Sequence, residues 1–222
     1  MNTKSPIPFT DNFDHLQAFT GWLKTRLSRL AAERRTAELA AYDVTGQART
    51  VGAKPVVAVE EVERRLNELK TAEEQADKTF KTRLEAHRKD PNAAVLGIDK
   101  AAEEFNLDEA ERMILMACAI PAIGETYAED AFIDAMPSFY GGLTVEILIN
   151  VLEPESLKQR MEFRKYFRGD APLVKHGLVT VDHVSRFKIP ADFPAAVVSI
   201  TSKGLSAVTG IDGLDAREGD AE

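Results

Sequence analysis

One helix constrains this chain more than any other part of its sequence. Asp108-Glu-Ala-Glu111 has the form of a capping box, a short polar side chain followed three positions later by a glutamate. The helix it opens runs through Met113-Ile-Leu-Met-Ala-Cys-Ala-Ile120 and is apolar nearly all round. A helix with no polar face must lie in the middle of a fold, so the rest of the chain has to wrap it. Pro121 and Gly124 are expected to stop it. With 222 residues, 44% of them apolar, the chain can bury one ordinary core, or a small core plus an elongated helical part.

That helix also holds the only cysteine, Cys118. No internal disulfide or thiolate metal cluster can form, and an inert buried thiol is the expected state. The longest apolar run, Met113 to Ile123, contains Pro121 and is too short to span a bilayer. No signal peptide opens the chain, so a cytoplasmic protein is expected.

Two long helices precede the core helix. The first starts near Asp11 or Asn12, either of which can cap it. Phe13, Leu16, Phe19, Leu23, Leu27 and Leu30 recur every three or four residues as one apolar stripe. Lys24, Arg26, Arg29, Glu33, Arg34 and Arg35 are expected on the opposite face. Asp43 to Pro55 has no periodicity and reads as a loop. In the second helix Val59, Val62, Leu66, Leu69, Glu73, Ala76 and Phe80 make a heptad seam with one polar exception, Glu73. An antiparallel coiled-coil hairpin follows, with Leu66, Leu69 and Phe80 packed on the first stripe. Two ordinary helices of a bundle are the alternative, and homo-oligomeric pairing through the hairpin stays open. Asp90-Pro91-Asn92 ends the helix and marks a domain boundary.

The remainder reads as short elements around the core helix. Ile98 to Phe105 can form a helix, Ala131 to Met136 a helical turn, and Thr144 can cap Val145 to Leu152. Glu155 to Phe167 is expected as a helix with Leu157, Met161 and Phe163 or Tyr166 inward. Leu178 to Val181 and Ala196 to Ile200 are the convincing β-branched runs and can pair. Ser202 to Thr209 reads as a last helix closed by Gly210. Beyond Ile211 the chain is expected to fray.

Charge is unevenly placed. Residues 1–90 carry a net +2 and residues 91–222 a net −10. An acidic half argues against general nucleic-acid affinity, which phosphate neutralisation supplies. Within that half, Arg160, Arg164, Lys165, Arg168 and Lys175 form the one basic cluster. Spacing of four puts Arg160, Arg164 and Arg168 on one face of a helix. They are the candidate partner-binding residues, set against the plainer reading of a solvated basic face.

No catalytic, cofactor-binding or metal-ligating constellation is legible. The chain contains no Gly-Lys dipeptide, so the phosphate-cradling G-x-x-x-x-G-K-[ST] loop is missing. His15, His87, His176 and His183 lack ligand spacing, and no nucleophile elbow is present.

Several segments together carry a family resemblance. Asp11-Asn-Phe-Asp-His-Leu16, Phe105-Asn-Leu-Asp-Glu-Ala-Glu-Arg-Met-Ile-Leu-Met-Ala-Cys-Ala119, Gly142-Leu-Thr-Val-Glu-Ile-Leu148 and Ala171-Pro-Leu-Val-Lys-His-Gly-Leu178 resemble, in order and spacing, the N-terminal region of bacterial AAA-family ATPases associated with contractile, phage-tail-like injection systems. The resemblance implies a mainly α chain: a helical hairpin over 1–90, a winged-helix domain with a small β wing over 91–210, and a flexible tail over 211–222. It further implies a non-catalytic interaction and regulatory region that recruits a protein partner or substrate to an ATPase module. The alternative is a winged-helix DNA-binding regulator with a helical dimerisation arm. The absence of a basic residue in Val145 to Leu152 and the single Arg112 in Glu109 to Ile120 weigh against that alternative.

Overall fold

The computed structural model describes residues 6–44, 57–123, 143–182, 193–212 and 214. Helix α1 spans Asn12–Val44. Its start is fixed by Asp11, whose carboxylate accepts from the Asp14 backbone N–H at 2.8 Å, while Asp14 accepts from Thr10 N–H at 2.9 Å. These bonds satisfy donors that a helix N-terminus leaves orphaned. Leu16, Phe19, Leu23 and Leu27 are fully buried. Phe13, at the head of the expected stripe, is half exposed.

Helix α2, Val57–Lys89, runs antiparallel to α1. The order of the cross-links shows this: Asp14 pairs with Arg83, Arg26 with Glu73 and Glu33 with Lys70. The seam works through its C-terminal half. Phe80 packs against Phe9, His15, Phe19 and Trp22, with ring centroids 5.6–6.2 Å apart, and Ala76 and Leu84 pack beside it. Leu66 and Leu69 are only half-buried and lie outside this cluster. The side chain of Val59 and most of the expected loop over 43–55 lie outside the described residues; α1 itself continues through Val44.

Helix α3, Gly97–Phe105, ends on Asn106 in the left-handed region, φ 54°. Helix α4 is Glu109–Ala122. Its capping box forms in full: Asp108 accepts from Glu111 N–H and Glu111 accepts from Asp108 N–H. Ile114 to Ile120 are all buried, as a helix without a polar face requires. Pro121 does not stop α4 but sits in its last turn. The expected turn over 131–136 lies outside the described residues.

Strand β1, Leu143–Thr144, leads directly into α5, Val145–Val151, and Thr144 caps α5 by accepting from Ile147 N–H. Helix α6, Leu157–Glu162, tightens into a 3-10 turn over Phe163–Phe167. Next come α7, Pro172–Lys175, then β2, Val179–Asp182, and β3, Val197–Ile200. Helix α8, Ser202–Thr209, closes on Gly210 at φ 72°, as the sequence predicts.

The sheet has the order β1-β3-β2, with both pairings antiparallel. The β2–β3 wing pairs Val179 with Ile200 and Val181 with Val198. Leu143 of β1 lies on the other side of Val198, so three apolar residues cross the sheet in one row facing the core. A two-residue strand has no pattern long enough to read, so β1 was not anticipated. Helix α8 lies hard against this assembly: a Cβ on Gly204 would come within 2.1 Å of Leu178 O, and one on Gly97 within 2.4 Å of Ala207 O.

One continuous buried cluster runs from Phe9, Leu16 and Leu27 through Leu115 and Leu148 to Val208. The turn at Pro91 therefore separates the hairpin from the sheet-bearing part in sequence, while the two share a core in packing.

Candidate partner-binding site

The basic cluster is expected on one regular helix, and the structure departs from that. Helix α6 lasts six residues, about 9 Å, before the backbone tightens at Phe163. A 3-10 turn advances about 120° per residue instead of about 100°, so Arg164 and Arg168 do not continue the face begun by Arg160. The same tightening redirects the apolar side chains. Tyr166 and Phe167 turn inward, whereas Leu157 and Met161, expected inside, are 76% and 50% exposed.

The five candidate residues divide into three groups. Arg160 is drawn back onto α5, donating to Asn150 Oδ1 at 2.6 Å and pairing with Glu146 at 3.3 Å. Lys175 is exposed at the end of α7 with no ion pair among the described residues. Arg164, Lys165 and Arg168 come together with Met161 and Glu162 around an open concavity of about 480 Å³. Arg164 has no carboxylate partner among the described residues. The Lys165 ammonium sits 4.8 Å from the Tyr166 ring centroid. Arg168 meets Asp170 at 3.3 Å, both side chains being largely exposed, a pairing worth little in water.

Lys165 and Arg168 also border a second concavity of about 380 Å³, shared with Asp108, Glu111 and Tyr166. There the Tyr166 hydroxyl donates to Asp108 Oδ2 at 2.9 Å. Burial, aided by that bond and by the carboxylates of Asp108 and Glu111, raises the Tyr166 hydroxyl above its ordinary range. Burial likewise raises Glu111, which is 3% exposed. Asp108 thus ties the start of the core helix to the 3-10 turn that carries Arg164 and Lys165.

A second charged centre was missed. Arg29, expected in solvent, is 8% exposed and pairs with Glu73, Glu33 and Glu153. Arg26 donates to Glu73 at 2.7 Å and to Val151 O at 2.8 Å, and pairs with Glu153 at 2.9 Å. Its guanidinium also lies 4.5 Å from the Trp22 ring centroid. Glu153, in the left-handed region at φ 48°, follows the C-terminus of α5, where Arg26 also satisfies a terminal carbonyl. The available signal was Glu73, a carboxylate inside an apolar seam that needed cationic partners.

Among the described residues no group of three or more His, Cys, Asp or Glu is placed to hold a metal ion. No helix among them is long and apolar enough to cross a membrane. What the arrangement offers is a surface: Met161 bordered by three cations and Glu162, with the exposed Leu157 one helical turn before it.

No curated protein and no solved structure matches the chain. A family model described as "Winged helix domain, variant" matches residues 1–219. That match agrees with helices α4, α5 and α6 leading into a three-stranded sheet whose last two strands form the wing. The chain belongs to this variant winged-helix family.

Proposed function

We propose that this chain is the non-catalytic interaction and regulatory region of an AAA-family ATPase of the kind associated with contractile, phage-tail-like injection systems, and that it recruits a protein partner to the ATPase in the cytoplasm. The observation that carries the interaction reading is the exposed Met161 beside Arg164, Lys165 and Arg168, with the exposed Leu157 one turn before it on the same helix. Exposed aliphatic side chains next to cations suit a protein surface. The ATPase reading is supported by the resemblance, whose segments fall on the start of α1, the α3–α4 cap, β1 with α5, and α7 leading into β2. A DNA-reading role fits less well, because α6 is short and carries Glu162 beside its basic residues.

Two measurements test the proposal. A photo-reactive phenylalanine analogue placed at Met161 should crosslink a protein in cells of the native host, whereas one placed at Glu103 on α3 should not. Crosslinks to nucleic acid alone would replace the reading with the DNA-binding one. Reading the gene and its neighbours past the codon for Glu222 should reveal a G-x-x-x-x-G-K-[ST] module, and its absence from all of them would remove the ATPase assignment.

A further inference from the structure

We infer that the segment received at α6 is acidic and amphipathic, an aliphatic pair flanked by Asp or Glu; this rests on the interaction reading above and names the chemistry of the partner. The geometry sets the apolar requirement. Leu157 and Met161 are four apart on one helix, so their side chains stand over one another on a single face. Neither contributes to the buried cluster, and a matching pair of aliphatic side chains would remove both from water.

The charges set the other requirement. Arg164 has no carboxylate partner among the described residues, Lys165 rests on an aromatic face, and Arg168 has only the exposed Asp170. All three line the concavity that includes Met161 and Glu162; Glu162 is paired with Lys158 at 3.8 Å, so the rim keeps a net positive charge. Two carboxylates entering it would gain charge-assisted hydrogen bonds without breaking a buried pair. Residues 91–222 carry a net −10 in sequence, so this cationic concavity is a local exception to the charge of its own half of the chain. Such a field gives orientation and selectivity as much as affinity. Nucleic acid would also be drawn to the cations, but it offers nothing to the exposed aliphatic pair. The chain's own acidic end carries two exposed aliphatic side chains, Ile211 and Leu214, beside Asp212 and Asp215, so it is the competing occupant that the test has to exclude.

Fluorescence anisotropy on the full chain tests this with four probes. They are a labelled Leu/Glu/Ala amphipathic peptide, its Glu→Gln form, a peptide of identical composition with the leucines scattered, and a mixed-sequence DNA duplex. The first should bind saturably, with affinity falling as salt rises, and the second and third at least about tenfold more weakly. Arg164→Ala with Arg168→Ala, and separately Leu157→Ser with Met161→Ser, should each weaken the first by about tenfold. These side chains lie outside the core, so circular dichroism should show both variants folded, and Lys100→Ala should bind as the parent does. Equal binding of the Gln or scattered peptide overturns the inference. So does displacement by the duplex, or by a free peptide of residues 211–222. If crosslinking at position 161 captures a protein but no acidic peptide binds, the partner chemistry falls and the interaction reading stands; if neither occurs, both fall.

Discussion

Arg26 of α1 donates through Nε to Glu73 of α2 at 2.7 Å, at the one charged position in the apolar seam of the second helix. Glu73, 7% exposed, also accepts from Arg29, so removing it leaves two guanidinium groups short of their shared partner. Breaking a buried pair on one side costs about 3–5 kcal/mol. Glu73→Ala should therefore lower the stability measured by urea unfolding by that order. Glu33→Ala, at the exposed end of the network, should cost under about 1 kcal/mol. Equal losses for the two would mean the buried pairs do not hold α1 and α2 together.

Asn12 presents a second such relationship. Its Nδ2 donates to Thr209 O at 2.9 Å and its Oδ1 accepts from Gly97 N–H at 2.7 Å. Asn12→Ala orphans a donor and an acceptor, each costing about 1–3 kcal/mol if left buried. Asn12→Asp keeps the acceptor and loses the donor, so it should fall between Asn12→Ala and the parent in thermal unfolding. If Asn12→Ala leaves the midpoint unchanged, the bridge contributes nothing.

Stability should depend on pH through His15. The ring lies between Phe9 and Phe80, and burial pulls its pKa down to about 4. Asp99 and Asp14 oppose that shift, while His87 and Arg88 reinforce it. In the unfolded chain the imidazole titrates near 6.5. Between those values the unfolded state binds a proton that the folded state does not. Stability is thus complete above pH 6.5 and falls as pH drops towards 4, by up to roughly 3 kcal/mol. His15→Phe should flatten that slope. If the slope persists in the variant, it belongs to other groups.

Cys118 is fully enclosed in α4, and burial pushes its thiol up to about 12. A thiol reagent at neutral pH should modify it only as fast as the protein opens globally. Fast labelling of the native protein would contradict the placement of α4 at the centre.

Calorimetry with Mg-ATP on this chain should show no saturable binding, because phosphate capture needs positioned backbone N–H groups and a following Lys. Micromolar binding would reveal a nucleotide site built from other residues.

The sequence was most legible where local chemistry acts alone. The Asp108–Glu111 box, the Thr144 cap and the Gly210 stop depend on residues within a turn of one another, and each forms as read. The β2–β3 pairing was legible because branched residues fill both runs. Reading failed where tertiary partners decide the outcome. Arg29 looks like any solvated arginine until Glu73 and Glu153 arrive from distant parts of the chain. Leu157 and Met161 fit an inward helical stripe, but α6 lasts only to Glu162, and the residues that enter the core are Tyr166 and Phe167 of the 3-10 turn that follows. Of the candidate site, Arg164, Lys165 and Arg168 converge, while Arg160 is diverted by Asn150 and Glu146, neither of which its own segment announces.

The Asn12 bridge also makes the polypeptide a nearly closed ring, with the entry to α1 held against the exit from α8. Two positions 197 apart in sequence are thereby joined by one hydrogen bond, so the opening of the first turn of α1 and that of the last turn of α8 become coupled events.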